Sequence, residues 1–65
     1  MSQVKQLKKH LDDGKLITPL DALMEYGIFR LAARIKDLRD SGMKIVTDMV
    51  EDESGKKYAE YFKVV

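Results

Sequence analysis

Gly27 divides the middle of this chain into two segments of helical character, and the reversal it permits constrains everything on either side. Ahead of it, Thr18-Pro19-Leu20-Asp21 is a helix-start signature. It offers a hydroxyl to cap the first turn, a proline at the first helical position and a carboxylate three residues after the cap. Asp21 is a shorter relative of the Glu that completes a capping box, and its charge suits the positive end of the helix dipole. At Tyr26-Gly27 the chain can turn, because glycine accepts a positive φ that a Cβ disfavours. Beyond the turn, residues 28–41 place Ile28, Leu31, Ala32, Ile35 and Leu38 on one stripe of helical period. The opposite face carries Arg30, Arg34, Asp37 and Ser41, and Gly42 closes the segment. Two helices joined by so short a turn form a helix-turn-helix.

The rest of the chain has to build a core around that unit from few residues. Its 65 residues make one domain, 1–65, of a size that buries only about 60% of its unfolded surface. There is no Cys, so no disulfide or thiolate-metal site supplements the core. The lone His10 has no acidic partners spaced for a metal site, and no metal or cofactor is expected. The lack of Cys and of a secretory signal leads to the expectation of a cytoplasmic protein. No apolar run approaches the roughly 20 residues that span a bilayer, so no membrane is expected as a partner.

Twelve basic against eleven acidic residues leave a net charge of +1, unlike the strongly basic balance of an avid nucleic-acid binder. The distribution is less even. Residues 30–44 hold Arg30, Arg34, Lys36, Arg39 and Lys44 against Asp37 and Asp40, whereas residues 48–65 hold Asp48, Glu51, Asp52, Glu53 and Glu60 against Lys56, Lys57 and Lys63. Any nucleic-acid footprint is therefore expected to centre on the longer helix.

Ser2 is the expected cap of a first helix carrying Val4, Leu7 and Leu11 on one face, with Lys5, Lys8, Lys9 and a surface His10 on its other sides. Asp12-Asp13-Gly14 ends it, with Gly14 in the left-handed position, and two acids at the negative end of the dipole predict fraying there. Residues 15–17 are too few for more than a bridge of extended chain, and Pro19 keeps Thr18 extended. In the second helix Leu20, Leu23 and Met24 form an apolar patch. Ala22 lies toward another side, where its size permits close approach of a neighbour. Tyr26 on that side is expected in the core with its hydroxyl at the surface. After Gly42 the period changes to two. Residues 43–51 and 57–64 read as the strands of a hairpin turning at 52–55. Ile45, Thr47 and Met49 share one side of the first strand. On the second, Tyr58, Phe62 and Val64 compete with Ala59 and Tyr61 for the inner face. The predicted core is Leu7, Leu11, Leu23, Leu31, Ile35, Leu38 and Ile45.

Taken together, ITPLDALMEYGIFRLAARIKDLRDSGMKI resembles the small winged helix-turn-helix proteins encoded by phages and prophages. The likeness rests on Ile17-Thr18-Pro19 with Ala22, the Gly27 turn, Arg30-Leu31-Ala32-Ala33-Arg34-Ile35, Leu38-Arg39 and Gly42, and on the return through Lys57, Tyr58 and Tyr61. It departs from the stricter pattern at one place: Leu23, not a small residue, stands four positions before the turn glycine. The resemblance implies an α+β fold, three helices with a C-terminal β-hairpin wing, in which residues 15–17 pair with the hairpin.

It also implies double-stranded DNA as partner, with the third helix in the major groove. Arg30 and Arg34 would then meet bases or phosphates, Ala33 would leave room beside base edges, and Lys36, Arg39, Lys56 and Lys57 would contact the backbone. A role as phage regulator or recombination accessory factor of the excisionase sort would follow. A purely structural account instead packs Phe29 into the core and pairs Arg34 with Asp37 or Glu25. No Cys nucleophile, Gly-rich phosphate loop or His-centred catalytic set is present, so an enzyme is not expected. The alternative is a protein-interaction module that docks on a host or phage protein, as an anti-defence inhibitor does, favoured by the near-neutral charge and the acids at the hairpin tip. A homodimer pairing through the hairpin edge or the first helix is a third reading.

Overall fold

The computed structural model describes residues 3–64: three helices, α1 (Gln3–Asp12), α2 (Pro19–Tyr26) and α3 (Leu31–Asp40), precede an antiparallel hairpin of β1 (Ile45–Glu51) and β2 (Lys57–Lys63). Thr18 Oγ1 accepts from Asp21 N at 3.1 Å, while Asp21 Oδ2 accepts from Thr18 N at 3.3 Å. The short carboxylate therefore completes the capping box at the head of α2. At the other end Gly27 adopts φ 66, its N–H donates to Leu23 O at 3.0 Å, and Ile28 N donates to Ala22 O at 3.1 Å. The expected Ser2 cap of α1 lies outside the described residues.

The turn after Gly27 is longer than the sequence pattern predicts, and α3 starts at Leu31 instead of residue 28. The left-handed Gly27 drives Ile28 into the core as part of an irregular segment. Phe29 then points outward at 87% exposure, and Arg30 sits at the helix boundary with φ −120 and ψ 71. The buried stripe of α3 is Leu31, Ile35 and Leu38; Ala32 is exposed.

Leu7 and Leu11 from α1, Ile17, Ala22, Ile28, the α3 stripe, Ile45 and Tyr61 form one cluster. Leu23, predicted in that core, is 39% exposed, and Leu20 and Met24 beside it are more exposed still. Helix α2 is rotated so that its inner face is fully buried Ala22 with half-buried Tyr26 one turn later. A methyl side chain lets the α2 backbone come close, and the larger residues are displaced outward.

His10, expected at the surface, is instead interior at 8% exposure. Both ring nitrogens are satisfied there: Nε2 lies 2.8 Å from Leu16 O and Nδ1 lies 2.7 Å from the Tyr26 hydroxyl. A buried polar ring with both atoms bonded carries no desolvation orphan. Helix α1 ends at Asp12 as expected, with Gly14 left-handed at φ 82, and Asp12 is bridged by Lys8 Nζ at 3.0 Å and Lys63 Nζ at 2.8 Å. Two ammonium groups there offset the unfavourable carboxylate at the helix end.

The hairpin pairs Ile45 with Lys63, Thr47 with Tyr61, Asp48 with Glu60 and Val50 with Tyr58. Bonds from Val64 N to Lys44 O at 3.0 Å and from Asp52 N to Lys56 O at 2.9 Å place the even-numbered residues of β1 in the hydrogen-bonded pairs. Backbone groups of the odd-numbered residues consequently face away from the partner strand. On β2 Tyr61 uses both of its own: it exchanges hydrogen bonds of 2.8 and 2.9 Å with Ile17, which makes the bridge between α1 and α2 a third, one-residue strand as expected. Buried Tyr61 and half-buried Ala59 share the Ile45 face, which resolves the inner side of β2 in their favour.

Candidate functional site

The outward surface of α3 is set by its buried stripe. With Leu31, Ile35 and Leu38 inside, the helical period turns Ala32, Lys36, Asp37 and Asp40 to solvent and leaves Ala33 and Arg34 half-buried on the flanks. Arg30 is exposed but precedes the helix, so it does not stand one turn below Arg34 on a helical face as the sequence spacing suggests. It presents its charge at the amino end of α3 beside exposed Phe29. Ala32, which the helical period places on the core stripe, instead joins Ala33 as a second small residue on the accessible part of the helix.

Arg34 Nε lies 3.0 Å from Asp37 Oδ2, without the alignment of a good hydrogen bond. This contact neutralises one of the two acids of α3, and Arg34 contributes less net positive potential than its formal charge. Arg39, expected as a DNA-backbone contact, has its guanidinium engaged elsewhere: Nη2 donates to Ile45 O at 2.9 Å and to Thr47 Oγ1 at 2.8 Å. Lys36, by contrast, extends into solvent from the middle of the helix.

At the hairpin tip the acids divide into two kinds. Asp52 Oδ1 accepts from Ser54 Oγ at 2.7 Å, Ser54 N at 2.9 Å and Lys56 N at 3.0 Å. The Ser54 hydroxyl, followed by the Lys56 amide, holds this carboxyl below the usual carboxylate range. Asp52 is thus a turn-former whose charge is directed into the loop. Glu53, Lys56 and Lys57 are exposed around it. An open cleft of about 610 Å³ lies between the start of α2 and this end of the hairpin, with Pro19, Leu20, Lys56, Lys57 and Tyr58 along its walls. The seven predicted contact residues therefore do not form one uniform surface. Arg30, Ala33 and Lys36 gather on or beside α3, Lys56 and Lys57 stand at the hairpin, and Arg34 and Arg39 have intramolecular partners.

Among the described residues no group of three or more His, Cys, Asp and Glu side chains is placed to hold a metal ion, and no helix is long and apolar enough to cross a membrane. A family model described as a winged helix-turn-helix domain matches residues 2–64. No curated protein and no solved structure matches the chain.

Proposed function

This chain belongs to the winged helix-turn-helix domain family, and on that premise we propose that it binds double-stranded DNA with α3 in the major groove. The observation that carries the reading is the outward surface of α3. Small side chains at Ala32 and Ala33 lie among the exposed cations Arg30 and Lys36, which permits close approach to base edges with charge at hand. Lys56 and Lys57 follow as contacts to phosphate from the hairpin. Arg34 serves from the flank, exchanging Asp37 for an anionic partner, and Arg39 acts by holding the hairpin against α3. The near-neutral total implies few phosphate contacts and modest affinity as a monomer. A phage or prophage regulator, or a recombination accessory factor, is the role in keeping with the resemblance noted above.

One observation favours a protein partner instead. Leu20 and Met24 on α2 are 66% and 77% exposed, flanked by Asp21 and Glu25, and contiguous apolar surface beside acids is a feature of protein docking faces. The two readings separate in a fluorescence anisotropy titration of labelled duplexes at low salt. Binding that is lost on replacing Arg30 and Lys36, and kept on replacing Leu20 and Met24, supports DNA. No binding to any duplex, with a protein captured through Leu20 and Met24, replaces it by the docking reading.

A further inference from the structure

Helix α1 and the end of α2 enclose a cleft of about 280 Å³ that the reading of α3 leaves unused. Lys9 from α1 and Lys15 from the following bridge line it, together with Lys5 and Asp13. Among the described residues neither Lys9 nor Lys15 takes part in an ion pair. The His10 ring, Tyr26 and Gln6 form the rest of the wall.

The hydrogen bonds behind that wall dictate where protons sit. A carbonyl only accepts, so the 2.8 Å contact with Leu16 O places a proton on His10 Nε2. In the neutral ring Nδ1 is then an acceptor, and the Tyr26 hydroxyl 2.7 Å away donates to it. Tyr26 has no proton left to offer the cleft. A proton added from solvent can enter the ring only at Nδ1. It reverses the bond, Nδ1–H then donates to the Tyr26 oxygen, and the Tyr26 O–H is released to donate into the cleft.

We propose that this cleft binds a phosphate group between Lys9 and Lys15, and that binding draws one proton onto His10 by reversing its hydrogen bond with Tyr26. Phosphate fits better than a carboxylate because its several charged oxygens accept from two ammonium groups and a hydroxyl at once. The groups around His10 supply the coupling. From α2, Glu25 Oε2 lies 3.9 Å from Nδ1, close enough to pair with the ring once a proton is on it. Asp13, beyond the end of α1, and Lys5, Lys9 and Lys15 line the same cleft. An anion between the lysines neutralises them and accepts from the Tyr26 hydroxyl once that hydroxyl has been released by a proton on Nδ1. Burial first, then Glu25 and Asp13, raise the Tyr26 hydroxyl above its ordinary value, so it remains a donor across the neutral range.

Phosphate can reach the cleft from a DNA backbone or as a free phosphorylated ligand. The first is consistent with the contact of Gln3 Nε2 to Gly27 O at 3.2 Å, which places α1 against the turn leading to α3. The site is independent of the reading of α3 and is tested apart from it. His10 is the one histidine of the chain, so its ring signals in an NMR titration are unambiguous. The intact protein is titrated with inorganic phosphate, with a mixed-sequence duplex, and with glutamate at matched ionic strength, each across the acidic-to-neutral range.

The expected result is that phosphate, the duplex or both move the His10 transition to higher pH, with glutamate inert. Lys9→Gln combined with Lys15→Gln weakens the response at least about tenfold, the scale of losing charge-assisted contacts. Tyr26→Phe, checked for fold by thermal unfolding, weakens phosphate binding and its pH response together, because the hydroxyl released into the cleft is lost. A response to the duplex assigns the phosphate to DNA; a response to phosphate alone assigns it to a free ligand. Glutamate acting as strongly as phosphate overturns the proposal, and so does a Tyr26→Phe variant that binds phosphate and responds to pH as the parent does. A duplex that perturbs Arg30 and Lys36 while neither it nor phosphate moves His10 overturns it and leaves the α3 reading standing.

Discussion

Arg39 holds the backbone of Ile45: its Nη2 and Nε lie 2.9 and 3.3 Å from the Ile45 carbonyl oxygen. That carbonyl belongs to the row facing away from β2, on an edge with no strand beside it among the described residues. One guanidinium thus joins the end of α3 to the start of the hairpin and covers part of an otherwise open strand edge. Arg39→Ala should cost about 1 kcal/mol of stability in urea unfolding. Arg39→Lys should recover little of it, because an ammonium lacks the planar fork. Unchanged stability in both variants would return Arg39 to the set of purely DNA-directed cations.

Core substitutions should discriminate between the predicted and the observed interior. Ile35→Ala or Leu38→Ala should lose about 2–5 kcal/mol, enough to unfold much of a small domain. Leu23→Ala, at a side chain 39% exposed, should lose far less. Equal losses at Leu23 and Leu38 in denaturant titrations would contradict the rotation of α2.

Gly27 should tolerate Asn better than Val. A Cβ built there meets nothing within 4 Å, so the cost is backbone conformation alone. At φ 66 it amounts to roughly 1–2 kcal/mol for an ordinary residue and more for a β-branched one. Thermal melts that rank Val equal to Gly would rule out the left-handed turn.

Acid should weaken the fold at two exposed places. The carboxyl of Asp12 is held below its ordinary value of 3.8 by hydrogen bonds from Lys63 and then Lys8, and that of Asp52 by Ser54 and then Lys56. Groups whose folded values are depressed stabilise the protein above the unfolded value, and the contribution is lost as pH falls through the folded one. Melting temperature should therefore drop as pH is lowered below about 4. Lys63→Gln and Ser54→Ala should each flatten that drop, and a drop of unchanged steepness in both would assign it to other carboxylates.

For DNA, Arg30→Ala should relax sequence preference as well as affinity, on a scale of about 1–3 kcal/mol if it contacts a base bidentately. Lys56→Ala should weaken binding to all sequences alike and lower the salt slope by about one unit. Both should melt like the parent chain, since both side chains are exposed. The reverse pattern between the two variants, measured across a salt series, would exchange their roles.

Local chemistry was readable in the sequence wherever a feature and its partner lie within a few residues. Thr18, Pro19 and Asp21 specify their cap, Gly27 its turn, and the alternation from Ile45 to Glu51 its strand. What escaped depended on distant partners. Two apolar stripes on α2 satisfy the same period, and only packing against the other elements selects Ala22 over Leu20, Leu23 and Met24. His10 is interior because Leu16 O and the Tyr26 hydroxyl meet it from two other elements. Of the contact set, Lys36, Lys56 and Lys57 were legible as exposed cations. The engagement of Arg39 was not, because it depends on where the hairpin lies against α3.

The exchange of hydrogen bonds between Ile17 and Tyr61 has a kinetic consequence. It joins the bridge after the first helix to the last strand, enclosing the capped α2, the turn, α3 and most of the hairpin between its ends. Helices and hairpins nucleate within microseconds from neighbouring residues, whereas closing so long a loop costs chain entropy before any contact repays it. Docking of the hairpin onto residue 17 should therefore come late in folding. The amides of Ile17 and Tyr61 should exchange with solvent deuterium only as slowly as the whole molecule opens.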